Sequence, residues 1–240
     1  MAGQSDAYTE ARNASDSRQR FRIKRVSASQ QIHDALRERI IALELAPGQN
    51  LSRNDIADFY GVSQTPVRDA MLKLEEEGLL LIQPQSKTEV SKIDIDNARE
   101  TQFLRLAVEL EVTRRLTLAH DDAALEPIRK ILAGQESALA DDDLERFVHL
   151  DRMFHRAMYL AVGVADLWDL VTSRSGHIDR LRNLNLPDPG KPANILHYHR
   201  QILDNIGAGA VAAAEQAVRE HLSGTLAQID DIVVRHPDFF

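Results

Sequence analysis

Four side chains in the second half of the chain carry the donor atoms of a transition-metal site. Asp151 and His155 follow Phe147 at spacings of four and eight residues, which places all three on one face of a helix. His199 and His221 each stand in the apolar stripe of a later predicted helix. Ionisable groups are costly to bury unless they are paired or bind a metal. One carboxylate and three imidazoles therefore predict a site for a divalent transition metal such as Zn, Ni or Mn.

A simpler interpretation of the same residues stays open. A core histidine often only donates a hydrogen bond to a neighbour, and Asp151 and His155 have the spacing of a pair on adjacent turns of one helix. His149 and His197 each lie two residues before a candidate ligand, about 200° round the helix, so they should face elsewhere. His177 shows no comparable pattern and is expected at the surface or in a loop.

The elements that must position these side chains are helices. Almost no strand pattern occurs after residue 93, and breaks fall at Gly163 and in the loop 187–192. The predicted helices cover residues 94–118, 121–140, 142–162, 165–184, 192–206 and 210–234. Six helices of this length predict an all-α bundle with a sizeable core.

The first half of the chain has a different pattern. A short predicted helix from Arg53 to Tyr60 meets a Gly61-Val-Ser turn, and a second helix ends at Gly78 before two short strands. Ser52 and Ser63 are placed to cap the two helices. This order of elements is typical of a winged helix-turn-helix, which places its second helix in the DNA major groove.

Several polar residues of this segment are candidates for DNA contacts. Gln64, Thr65 and Arg68 lie near the start of the second helix, on the side opposite its apolar face. Arg53 and Lys87 lie, with Arg68, where phosphates would pass. These positions predict base and backbone contacts to a double-stranded operator.

The run PGQNLSRNDIADFYGVSQTPVRDAMLKLEEEGLL closely resembles the DNA-binding domain of GntR-type regulators. The resemblance covers roughly residues 28–92. It implies a dimeric bacterial repressor or activator that binds a two-fold operator through the helix after Ser63. Gln64 and Asn54 stand where relatives carry arginines that reach the DNA, and Ser86 stands where the wing often has glycine. An operator sequence therefore does not transfer from relatives to this chain.

The second half resembles the ligand-sensing FCD domain of the FadR branch of these regulators. The resemblance covers about residues 96–230 and is carried by the runs LDRMFHRAM, HRQILDNIGAG and AVREHL. In metal-binding members the ligands are one aspartate and three histidines, and Asp151, His155, His199 and His221 match all four positions. The resemblance implies that the metal leaves coordination positions for a small carboxylate effector. Six helices rather than seven favour the shorter, VanR-like subgroup.

A further motif of the same domain lies in its first helix. FLRLAVELE resembles the family motif whose arginine lines the effector pocket, and Arg105 matches that arginine. Alternatively, Arg105 only pairs with Glu109 one turn later. Val164 stands where many relatives carry asparagine, which puts some polarity of the pocket in doubt.

Composition limits the class of protein. The chain has 240 residues, no cysteine, and no apolar run of the ~20 residues that a membrane span needs. We expect two domains, a DNA-binding one at 27–92 and a helical one at 94–236 for effector binding and dimerisation. The polar N-terminus shows no signal peptide, so we expect a cytoplasmic protein with no membrane partner. Residues 27–92 hold seven basic and ten acidic side chains, so DNA binding depends on where charges lie and not on their sum.

Residues 1–26 are rich in Ser, Arg and Gln and are predicted to be disordered. Their basic residues could form an arm that contacts phosphates, or simply a solvated tail. The basic residues are Arg18, Arg20, Arg22, Lys24 and Arg25.

Together these features predict a metal-dependent, homodimeric transcription regulator, without enzymatic activity, that senses a small organic or sugar acid. It would act as a repressor of a catabolic operon. Two alternatives are a metal-dependent hydrolase with a DNA-binding module and an architectural DNA-binding protein that senses nothing. The first lacks a clear general base near the four ligands, and the second leaves the inward Asp and His residues unexplained.

Overall fold

The computed structural model describes residues 26–83, 87–119, 122–188 and 190–240. The basic arm of the N-terminal segment, and Ser86 in the wing, lie outside these ranges. Within the described ranges, no helix combines the length and the apolar composition that a bilayer span requires.

The N-terminal part is a winged helix-turn-helix, as predicted. Its elements are α1 (Ala28–Ile41), α2 (Arg53–Tyr60), α3 (Gln64–Glu76), β1 (Leu80–Ile82) and β2 (Thr88–Val90). The two strands pair antiparallel, with Leu80 opposite Val90. Apolar residues of all three helices and both strands form one core beneath the exposed face of α3.

The turn between α2 and α3 follows from its residues, with one exception. The Ser52 hydroxyl accepts a hydrogen bond from the Asp55 backbone N–H, and Gly61 ends α2 in the left-handed conformation with φ of 63°. Ser63 precedes α3 in an extended conformation but makes no capping hydrogen bond, so the prediction of a second cap was wrong. Pro66, the third residue of α3, has no N–H to donate to that hydroxyl.

The remainder of the described chain is all helical, which confirms the fold class. The helices are α4 (Ile95–Ala119), α5 (Asp122–Ala140), α6 (Leu144–Ala161), α7 (Ala165–Arg174), α8 (Gly176–Asn185), α9 (Lys191–Gly207), α10 (Val211–Ser223) and α11 (Ile229–Arg235). Short 3₁₀ turns occupy Leu226–Gln228 and Pro237–Phe239.

The described residues thus contain eight helices after the wing and not the predicted six, because two predicted helices are each broken. The predicted helix 165–184 breaks at Ser175, and the predicted helix 210–234 breaks after Ser223. At Gly176 the chain turns toward the wing, and a Cβ there would come within 2.6 Å of a Leu79 methyl carbon. The helix count therefore no longer supports a VanR-like subgroup.

Helix α8 lies at the junction between the two parts. It packs against α1 of the winged part and against α4 of the bundle. Its Ile178 and Leu181 form a small core with Ile229 and Ile232 of α11, separate from the large core of the bundle. The break before α8 thus places a separate helix between the DNA-binding part and the helical bundle.

Candidate metal centre and adjoining cavity

The structure brings the four predicted ligands together from three helices. Asp151 and His155 project from α6, His199 from α9 and His221 from α10, and one donor atom from each lies within 4.8 Å of the others. The Nε2 atom of His221 lies 3.1 Å from Nε2 of His155 and 3.3 Å from Nε2 of His199. Oδ1 of Asp151 lies 3.5 Å from Nε2 of His199.

These distances fit a metal better than a network of hydrogen bonds. A single N–H can link only one pair of facing nitrogens, yet the His221 Nε2 atom faces two of them at once. Nitrogens bound at about 2.0–2.1 Å to one ion, at angles between about 90° and 110°, stand about 2.8–3.4 Å apart. The observed separations fall in that range. The donor set of three nitrogens and one carboxylate oxygen suits Zn, Ni or Mn.

Two further side chains fix the orientation of the histidines. The Gln135 Oε1 atom lies 2.8 Å from the second ring nitrogen, Nδ1, of His199. The Glu109 Oε2 atom lies 2.8 Å from Nδ1 of His155, and both side chains are almost fully buried. The hydrogen bond to Gln135 holds a proton on Nδ1 of His199 and leaves its Nε2 lone pair for a metal. The Glu109 carboxylate is as close to Nδ1 of His155, but it is not aligned with that atom for a hydrogen bond. Glu109 was predicted from the sequence only as a partner of Arg105, and Gln135 was not predicted at all. Gln135 nevertheless interrupts an apolar stripe of α5, as Asp151 does on α6.

Burial keeps the imidazoles of His199 and His221 neutral, as metal ligands must be. It lowers the pKa of His199 to about 3, and it lowers the pKa of His221 with help from the two neighbouring histidines. Burial would raise the pKa of Asp151, but the adjacent imidazoles and Arg105 outweigh it and the pKa lies below its usual value. The site therefore offers an anionic carboxylate from Asp151 and neutral imidazoles from His199 and His221 near neutral pH.

A cavity of about 110 Å³ adjoins this centre, and both Asp151 and His221 line it. Its walls are apolar side chains of α6, α7 and α9 together with several charged groups. The charged side chains that line it are Arg105, Asp151, Arg152, Asp179, Arg182 and Lys191. A small anionic ligand in this cavity would touch the metal ligands on one side and cations on the other.

Arg105 pairs with Glu109 and also lines the cavity. Its Nε atom donates to Glu109 Oε1 at 2.5 Å, and its side chain also lines the cavity. Glu109 raises the pKa of Arg105 although burial alone would lower it, so the guanidinium is charged. Val164 does not line this cavity, and it precedes α7 as an N-cap without a side-chain hydrogen bond. The expected loss of polarity in the cavity at Val164 therefore does not occur.

Two histidines that the sequence excluded from the site behave as expected, and a third does not. His149 and His197 are exposed, on the outer faces of α6 and α9. His177 is buried, which contradicts the expectation of a surface or loop position. Its Nδ1 atom accepts from the Asp94 backbone N–H at 2.9 Å and from Arg180 at 2.8 Å, at the junction behind α8.

The side chains predicted to contact DNA all lie on the surface of the winged part. They are Arg53, Asn54, Gln64, Thr65, Arg68 and Lys87, and all six are exposed. The Gln64 amide donates to Asn54 Oδ1 at 2.6 Å, which joins the starts of α2 and α3. Lys87 pairs with Glu89 at 2.6 Å. Within the described ranges Arg53 and Arg68 make no ion pair, which leaves both guanidinium groups available for DNA.

Comparison with known families assigns both halves of the chain. The family described as bacterial regulatory proteins, gntR family, matches residues 28–90, and the FCD domain family matches residues 100–224. Over 87% of its length the chain is 37% identical to 88% of an uncharacterised HTH-type transcriptional regulator of Streptomyces ambofaciens. Over 88% of its length it is 29% identical to 93% of the HTH-type transcriptional repressor RspR of Escherichia coli K12.

Solved structures agree on the fold. The chain superposes on the E. coli regulator McbR with a TM-score of 0.72 at 20% identity, over 86% of this chain and 99% of that one. The matching families and relatives are transcriptional regulators and not enzymes, so the hydrolase alternative is set aside.

Proposed function

Because the chain belongs to the GntR family of DNA-binding transcriptional regulators and carries an FCD effector domain, we propose that it is a metal-dependent repressor released by a small acid. The observation that carries this proposal is the Asp151, His155, His199 and His221 cluster beside a cavity with cationic walls. The FadR branch and a catabolic target operon are parts of the same proposal.

The winged domain, residues 27–92, would read the operator. Helix α3 carries an exposed polar start, and the free guanidinium groups of Arg53 and Arg68 flank it. Gln64 and Asn54 hold each other in place and would read base edges, while Lys87 in the wing would contact phosphate.

The helical domain, residues 94–236, would join two protomers. A two-fold operator needs two winged domains at a fixed spacing, which a homodimer provides. Helices α4 and α7, which pack against each other, expose large apolar side chains that a monomer has no reason to leave in water. The exposed apolar side chains on these two helices are Phe103, Leu104, Leu118, Leu167 and Leu170.

The metal would hold the effector. Four protein donors leave coordination positions open on an ion that takes five or six ligands, and a carboxylate from the cavity would occupy them. Arg105 lines the same cavity and would pair with that carboxylate. A small organic or sugar acid fits both the charge of the cavity and its size.

Helix α8 would transmit the binding event. Arg182 and Asn183 line the cavity, and the Asn183 amide donates to the Ile41 carbonyl at the end of α1 with 2.6 Å. Arg180, one turn before Asn183 on α8, donates from Nη1 to the Ser91 carbonyl just after the wing at 2.7 Å. A ligand that moves α8 would therefore shift the winged domain and change the spacing of the two α3 helices in a dimer.

Metal analysis and operator binding together test the proposal. Protein purified without chelator should carry about one metal per chain. His199→Ala should lower metal content and thermal stability and abolish release from the operator by the acid. His197→Ala, an exposed histidine on the same helix, is the matched control and should behave as the parent. A parent protein without metal, or a His199→Ala variant that still responds to its acid, would overturn the mechanism.

A further inference from the structure

A second cationic group lies in the cavity beside the metal centre, built from Arg182 of α8 and Lys191 at the start of α9. Arg182 Nη1 pairs with Asp179 at 3.0 Å, and Nη2 donates to Gln102 at 3.0 Å. Lys191 has no carboxylate partner among the described residues. Asp188, whose charge acts on Lys191, is itself held by the two terminal guanidinium nitrogens of Arg235.

The two cations line the same cavity despite their like charge. Burial, followed by the charge of Arg105, lowers the pKa of Arg182 to about 10. Burial, followed by the charge of Arg182, lowers the pKa of Lys191. The end of α10 confines the lysine further, because a Cβ at Gly224 would come within 3.3 Å of Lys191 Nζ. An arrangement that costs free energy in the empty cavity is stabilised when an anion binds between the two groups.

The charge of the cavity indicates how many negative groups a ligand should carry. Of the four cations that line the cavity, Arg152 is exposed to solvent. The other three, Arg105, Arg182 and Lys191, face the lining carboxylates Asp151 and Asp179, and Glu109 lies behind Arg105. The charges of these three cations and three carboxylates cancel, so a bound divalent ion would leave an excess of about two positive charges. A ligand with two negative charges would neutralise that excess, whereas a monocarboxylate would leave Lys191 unpaired.

We infer that the effector is a small acid with two anionic groups, one held at the metal centre and Arg105 and the other held by Arg182 and Lys191. The second group is a carboxylate or a phosphate, since both suit an arginine fork next to an ammonium. The cavity of about 110 Å³ has room for roughly seven to eleven water-sized groups, which corresponds to an acid of four to six carbons or a short phosphorylated acid. This inference rests on the proposed function, because it presumes that the metal centre takes the first carboxylate.

Calorimetric titration of the metal-loaded, full-length protein tests the inference. The ligands are malonate, succinate, glutarate and adipate, with the monoamide succinamate as the matched monoanion of succinate. Phosphoglycolate and glycolate form the second matched pair, which distinguishes a phosphate from a carboxylate. The best dianion should bind at least about tenfold tighter than its matched monoanion.

Variants of Lys191 separate this inference from the proposed function. Lys191→Gln should reduce the preference for the dianion, measured as the ratio of dianion to monoanion affinity, to about one. Its metal content and its monoanion affinity should stay unchanged. Lys191→Arg should keep the preference, and Lys130→Gln, at an exposed lysine on α5, is the matched control. Equal affinity for both members of each pair, or a Lys191→Gln variant that keeps the preference, would overturn only the anchor for the second anionic group, which is the Arg182 and Lys191 pair. A metal-loaded protein that binds none of these acids would overturn both the anchor and the acid-sensing proposal.

Discussion

Glu109→Gln is the substitution that most directly tests how the metal centre is organised. Glu109 accepts from Arg105 Nε at 2.5 Å with one oxygen, and its other oxygen faces His155 Nδ1 at 2.8 Å. Glutamine has the same shape but only one acceptor oxygen, so its NH₂ group must face one of these two donors. If the NH₂ group faces His155, the ring proton moves to Nε2 and the metal loses a ligand.

The expected loss is tenfold to a hundredfold in metal affinity, about 1.4–2.8 kcal/mol, as for other residues that orient a metal-binding histidine. Stability should fall by less than the about 3–5 kcal/mol of a broken buried ion pair, because the amide oxygen can still accept from Arg105. The pKa of Glu109 lies well below its usual value, since Arg105 and His155 outweigh the effect of burial, so the carboxylate is ionised in the parent.

Competition with a chromophoric chelator near pH 7 measures the affinity, and circular dichroism confirms that the variant is folded. Glu136→Gln is the matched control. Glu136 forms a surface ion pair with Arg200 at 2.6 Å and is far less buried than Glu109. It should bind metal as the parent does. A folded Glu109→Gln variant with unchanged metal affinity would show that Glu109 does not orient His155.

Three further predictions follow from the winged domain, the dimer and the junction. Arg68→Ala should weaken operator binding by about 1–3 kcal/mol in gel shifts if the guanidinium reads a base, and unchanged affinity in a folded variant would contradict that role. Residues 94–240 alone should sediment as a dimer, and a monomer at micromolar concentration would rule out the proposed assembly. Burial, followed by the charge of Arg180, lowers the pKa of His177 to about 4, so its contribution to stability is present above pH 6.5 and is lost as the pH falls toward 4. Between pH 7 and pH 5 the parent should lose about 2 kcal/mol more than His177→Gln in urea unfolding, and equal losses would refute the assignment.

Local sequence patterns were enough to predict the winged helix-turn-helix and the helical bundle. The Gly61 turn, the Ser52 cap and the apolar stripes are properties of a few neighbouring residues, and the periodicity of a helix follows directly from them. The same periodicity placed Asp151 and His155 on an inward face and His149 on an outward one. Each helix and its inward face could therefore be predicted from the residues of that helix alone. The four candidate ligands were identified in this way, before any packing between helices was known.

Packing decided everything that depends on two helices at once. Periodicity shows that a side chain points inward but not which partner it meets, so the Gln135 contact to His199 and the second oxygen of Glu109 were not predicted. The Lys191 and Arg182 pair appears only when α8 and α9 face one cavity. The break before α8 had no strong local signal, because Ser175 and Gly176 interrupt a pattern that otherwise continues as a helix. Gly176 at this break lies so close to Leu79 that a Cβ would clash with it, and such a contact between distant segments exists only in the folded chain.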